Sequence, residues 1–76
     1  MTEKEKAIYN EFYDKAYNYY ENGRMLYKNA LAMPCLKRYT YEDRKKILEG
    51  MRKRGLLEFF TNGGYIAGIE VKQIEK

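Results

Sequence analysis

The chain has no histidine, no serine and no tryptophan, and only one cysteine and one proline in 76 residues. Without serine and histidine, neither a Ser-His-Asp nor a Cys-His nucleophilic arrangement can be assembled. Without histidine, and with Cys35 as the single thiol, no zinc or copper site built on nitrogen and sulfur ligands is expected. A lone cysteine makes no internal disulfide, which suits a reducing compartment and points to the cytoplasm. No 18 uncharged apolar residues run together, and the start, Met1-Thr2-Glu3-Lys4-Glu5-Lys6, is charged. Neither a membrane span nor a signal peptide is therefore expected. Gly63-Gly64 is followed by no strand-to-helix junction carrying a lysine, so it reads as a turn rather than a phosphate loop. The carboxylates sit mostly beside lysines as surface pairs, so neither an enzyme nor a cofactor is expected.

Hydrophobic residues make up 45% of the chain and aromatics 16%, enough to fold in spite of 34% charged residues. The length allows one domain over residues 1–76, with a single core, and a dimer would help so short a chain bury apolar surface. The net charge of +4 is unevenly placed. Residues 37 to 54 carry eight cations, Lys37, Arg38, Arg44, Lys45, Lys46, Arg52, Lys53 and Arg54, against Glu42, Asp43 and Glu49, a net of +5. The remainder carries seven bases and eight acids, a net of −1.

From about Glu3 to Glu21, apolar residues recur at helical spacing, with Ile8, Phe12, Ala16 and Tyr19 in one row and Tyr9, Tyr13 and Tyr20 beside it. Asn22-Gly23 then supplies residues that tolerate a left-handed helix end. A second helix is expected from Arg24 to Met33, with Leu26, Ala30 and Met33 on one side, limited by Pro34. Thr40 followed by Asp43 resembles a capping box and opens a third helix over about Tyr41 to Arg54. Its apolar stripe is Ile47, Leu48 and Met51; Lys45, Lys46, Arg52 and Lys53 project from the far side, and Gly55 stands at an αL cap. After Gly55 come two strand-like runs, Leu56 to Phe60 and Tyr65 to Val71, around Thr61-Asn62-Gly63-Gly64. A type I′ turn at Asn62-Gly63 predicts a hairpin with Phe60 opposite Tyr65 and Phe59 opposite Ile66. Gly68 marks a bulge or a close backbone approach. The fold class is α+β, three helices followed by a C-terminal hairpin.

This order, with a basic third helix, resembles the winged helix-turn-helix domain of small transcriptional regulators. The resemblance is strongest from Thr40 to Val71. There Ile47-Leu48-Glu49-Gly50-Met51-Arg52-Lys53-Arg54-Gly55-Leu56-Leu57-Glu58 is similar to that family's recognition-helix ending, a helix closed by Lys/Arg-Gly-Leu that leads into the wing. The resemblance implies that the third helix enters the major groove of double-stranded DNA. Tyr41, Arg44, Lys45 and Arg38 would then lie near base edges or phosphates, with Lys37, Arg52 and Lys53 adding cationic contacts.

Nine tyrosines, six of them between Tyr9 and Tyr27, are the other unusual feature. A stacking platform for single-stranded nucleic acid is one reading, and the edge of a small core or an interface is the other. The first helix is thus the candidate surface for a homodimer or partner. Cys35 is either a redox sensor, its thiol acidified by Lys37 and Arg38, or a small buried hydrophobe beside Leu36. Two functions follow. The basic segment favours a DNA-binding regulator of the transcriptional, phage or plasmid type. Glu42 and Asp43 at the start of the third helix, the uncharged wing and the tyrosines favour a protein-interaction or inhibitor module on the same scaffold.

Overall fold

In the computed structural model, which describes residues 2–20 and 22–73, Thr2 opens the first helix by accepting a hydrogen bond from the Glu5 N–H at 3.1 Å. Glu3 and Glu5 in the first turn complement the helix dipole. Helix α1 spans Glu3–Asp14 and buries Ile8, Tyr9 and Phe12. It then widens into a π-helical segment, Lys15–Tyr19. Widening a turn delays the rotation of the side chains, so the expected row breaks after Ala16. Tyr19 is 70% exposed, while Tyr20 packs against the core in its stead. The expected end at Glu21 lies outside the described residues. Asn22 and Gly23 do take the left-handed conformation, with φ of 63° and 75°.

The second helix is shorter than expected, because residues Arg24–Leu26 form a strand, β1, and helix α2 covers only Tyr27–Leu31. Strand β1 pairs antiparallel with Glu70, Ile69 and Gly68. Its three residues carry no readable alternation; pairing creates the strand, and Gly68 admits it. A Cβ on Gly68 would lie 3.0 Å from the Met25 carbonyl oxygen, so a larger residue would press the two backbones apart by a few tenths of an ångström. Leu26, expected on an apolar helix face, is 52% exposed. A 3₁₀ turn, Pro34–Leu36, then places Leu36 in the core.

Helix α3 spans Tyr41–Lys53, capped by Thr40, whose hydroxyl accepts from the Asp43 N–H at 3.2 Å. Leu48 and Met51 are buried, and Gly55 takes φ +77° after the helix ends. Strands β2 (Leu57–Asn62) and β3 (Tyr65–Val71) form the hairpin. The turn lies one residue further on than expected. Gly63 and Gly64 hold its two positive φ values, 61° and 90°, whereas Asn62 ends β2. Asn62 therefore faces Tyr65, and Thr61 faces Ile66. Ala67 bulges, so Phe60 faces Gly68 and Phe59 faces Ile69, replacing the expected Phe60–Tyr65 and Phe59–Ile66 pairs.

The sheet order is β1-β3-β2. One cluster of buried side chains joins α1, α2 and α3 to the inner face of the sheet: Phe12, Leu36, Leu48, Met51, Leu57, Ile69 and Val71 are fully enclosed. Each such side chain contributes about 1.5–3 kcal/mol by leaving water. Truncating the central Phe12 to alanine, which also leaves a cavity, is expected to cost about 3–5 kcal/mol. The architecture is α+β, three helices with a three-stranded antiparallel sheet where two strands were expected. Among the described residues no helix is long and apolar enough to cross a membrane.

Candidate nucleic-acid interface

Because Leu48 and Met51 turn α3 toward the core, Glu42, Lys45, Lys46, Glu49, Gly50 and Lys53 fall on its open side. They form one wall of a groove whose other wall is Tyr27, Phe59 and Ile66. The groove thus collects three lysines and two glutamates over an apolar floor. Its acids face cations of the same helix: Lys45 Nζ lies 3.2 Å from Glu42, and Arg52 Nη2 lies 2.5 Å from Glu49. The Arg52 guanidinium holds the Glu49 carboxyl below its ordinary range, and Glu49 in return raises Arg52. Arg52 also covers the Phe59 ring at 5.6 Å. Neither Lys46 nor Lys53 has an acid within salt-bridge distance among the described residues; both are exposed, and they stand two turns apart along the groove.

The expected contact residues divide accordingly. Lys45 and Lys53 share the groove, while Arg52 is held at its rim by Glu49. Tyr41, 58% exposed, opens the helix beside the groove, and Lys45 Nζ sits 5.0 Å from its ring centre. Lys37 and Arg38 are exposed in the turn before α3, outside the groove lining, and Arg38 stacks near Tyr39 at 5.8 Å. Arg44 has an inward task. Its guanidinium donates to the carbonyls of Tyr39, Leu31 and Lys37 at 2.9, 3.0 and 3.1 Å. It therefore ties the end of α2 to the turn entering α3. Arg54 pairs with Glu5 of α1.

Two contributors were not among the expected contact residues. Lys46 lay within the counted basic run, and its spacing of seven from Lys53 on one helix face was the available signal. Tyr65, 62% exposed at the wing, offered none, because its outward placement depends on the one-residue shift of the turn and the Ala67 bulge.

The tyrosines of the first helix are largely occupied by the chain's own core. Tyr9 is buried, and Tyr13, Tyr17 and Tyr20 pack against the core, with Tyr13 and Tyr17 rings 4.6 Å apart. Tyr19 alone among them is strongly exposed, under Lys15 at 3.9 Å. Of the two readings of Cys35, the acidified sensor fails, because the shift runs the other way. Burial first, and then the Glu11 carboxylate beside it, push its thiol up to about 12. Lys37 and Arg38 point to solvent and do not offset this. Among the described residues no three His, Cys, Asp or Glu side chains are grouped to hold a metal ion.

Comparison with protein-family models, curated proteins and solved structures returns no match.

Proposed function

We propose that this chain binds double-stranded DNA through the open face of α3, as a small regulator of the transcriptional, phage or plasmid type. The observation that carries this reading is the alignment of Lys46 and Lys53, neither within salt-bridge distance of an acid among the described residues, along an uncovered helix face with Lys45 between the same walls. The groove's two carboxylates are each opposed by a cation of the same helix, so the surplus charge is positive. Lys37 and Arg38 extend the cationic surface toward the start of the helix. The winged-helix-like order of elements supports the reading by analogy of fold. Phosphate contacts supply most of the affinity, and Tyr41 at the first helical position is the side chain nearest to base readout.

Titration of a labelled duplex at several salt concentrations tests the proposal. Log K is expected to fall with log salt by about 0.9 per phosphate neutralised. Replacing Lys46 or Lys53 by glutamate is expected to weaken binding to every duplex sequence and to flatten that slope, with no loss of fold. Absence of duplex binding at low salt would remove the DNA reading and leave the protein-interaction module in its place.

A further inference from the structure

Beside the lysine groove lies a second, apolar depression of about 340 Å³. Its floor is Leu26, Leu31, Ile66 and Ala67, and Tyr41 of α3 and Tyr65 of the wing stand on its rim with Lys28. Among the described residues, Leu26, Tyr41 and Tyr65 are three of the four large hydrophobic side chains left strongly exposed. Their convergence on one depression is a costly exposure for so small a chain, and such a patch marks a binding surface. Tyr27 and Ile66 line both this depression and the lysine groove, so the two surfaces are continuous. The volume sits at the lower end of small-molecule sites, roughly 300–1,000 Å³, which suits one flat ring system rather than a packed helix.

We propose that this depression receives an unpaired nucleobase, so that the preferred ligand is a DNA duplex with a single-stranded extension or an unpaired base beside the α3 footprint. The inference rests on the DNA-binding reading and names the ligand of its neighbouring surface. A flat apolar face bounded by tyrosines holds a base by stacking and is indifferent to its identity. Lys28 on the rim, and Lys45 beside the Tyr41 ring, bring cations to the phosphates flanking that base. A wing without a cation is consistent with this division of labour. Here it presents Tyr65 to a base, while α3 and its approach supply the charge. A fully paired duplex offers no free base face, so the depression adds nothing to blunt-ended binding.

The test compares a short blunt duplex with the same duplex carrying a few unpaired nucleotides at one end, at one fixed salt concentration. The expected result is about tenfold tighter binding of the extended duplex. That preference disappears in Tyr65→Ala and in Tyr41→Ala, and in Tyr65→Ala, whose side chain lies outside the lysine groove, blunt-duplex affinity stays within about twofold. Both side chains are more than half exposed, so folding is retained. A fluorescent adenine analogue in the extension is expected to lose emission on binding to the native protein and not to Tyr65→Ala. Equal affinity for the two duplexes, or a preference that survives both substitutions, overturns the inference and leaves the duplex reading standing. No binding to either duplex overturns both readings. A native protein that sediments as a dimer and becomes monomeric on Tyr65→Ala assigns the depression to a second copy of this chain and overturns the nucleobase assignment.

Discussion

The hydroxyl of Tyr17 donates a hydrogen bond to the carbonyl of Val71 at 2.7 Å, joining residues 54 positions apart. It ties the π-helical end of the first helix to the last residue of β3, and the Tyr9 hydroxyl binds the next carbonyl, that of Lys72. The tyrosine-rich first helix thus holds down the C-terminal strand. Removing the hydroxyl alone, in Tyr17→Phe, keeps the ring and leaves a partly buried carbonyl without its donor. We expect a loss of about 1 kcal/mol, read as a lower urea midpoint at unchanged slope.

The same ring sets the demand at Gly23. A Cβ there would come within 2.4 Å of Tyr17 Cζ, and the residue sits at φ +75°. Gly55 has a like conformation, φ +77°, with no atom within 4 Å of the equivalent position. Gly55→Ala therefore reports the backbone cost alone, about 1 kcal/mol, whereas Gly23→Ala adds displacement of the ring. Gly23→Ala is expected to cost at least about 1 kcal/mol more than Gly55→Ala. In a Tyr17→Ala background that difference should vanish, since the obstructing ring is gone; a difference that persists there would show that the clash is not its source.

Wherever one residue type has one local consequence, the sequence was readable. Thr40 as a cap, Gly55 after a helix and the Leu48–Met51 stripe depend on neighbours a few residues away. The missed features depend on distant ones. Strand β1 exists because Gly68 admits it and β3 supplies its partners. Tyr19 leaves the apolar row because the helix widens at Lys15–Tyr19, which no 3.6-residue spacing reveals. The basic character of the interface was visible as a charge count, but which cations remain available was not. Arg44, Arg52 and Arg54 have the same residue type in the sequence and three different partners in the fold.

Cys35 illustrates how burial outweighs a nearby charge in the sequence. Its backbone N–H donates to the Glu11 carboxylate at 3.0 Å, and its thiol is raised from about 9 to about 12. Because the folded state holds this proton more tightly than the unfolded chain, the unfolded chain releases it first. The contribution to stability is complete below the ordinary thiol pKa and is lost as pH rises from about 9 toward about 12. Thermal denaturation is expected to fall less steeply over that range in Cys35→Ala than in the native protein, which corrects for tyrosines and lysines titrating in both. At pH 8 the native thiol is expected to react with iodoacetamide far more slowly than the thiol of the urea-unfolded chain. Equal rates would show that the site is open.

Arg44 separates structural from ligand-binding cations. Its three nitrogens each donate to a different carbonyl, those of Leu31, Lys37 and Tyr39, which cap the end of α2 and the turn before α3. A lysine ammonium is a compact point donor and cannot span three carbonyls arranged for a planar fork. Arg44→Lys is therefore expected to destabilise the fold by about 1–2 kcal/mol while keeping the charge. Lys46→Glu reverses a charge that touches no partner among the described residues, and its stability is expected to stay within about 0.5 kcal/mol of the native value. Under the DNA-binding proposal the two variants should dissociate cleanly. Lys46→Glu lowers duplex affinity at native stability, and Arg44→Lys lowers stability with near-native affinity once corrected for the folded fraction. A native-like melting temperature in Arg44→Lys, together with weakened or redirected duplex binding, would instead place its guanidinium on the ligand.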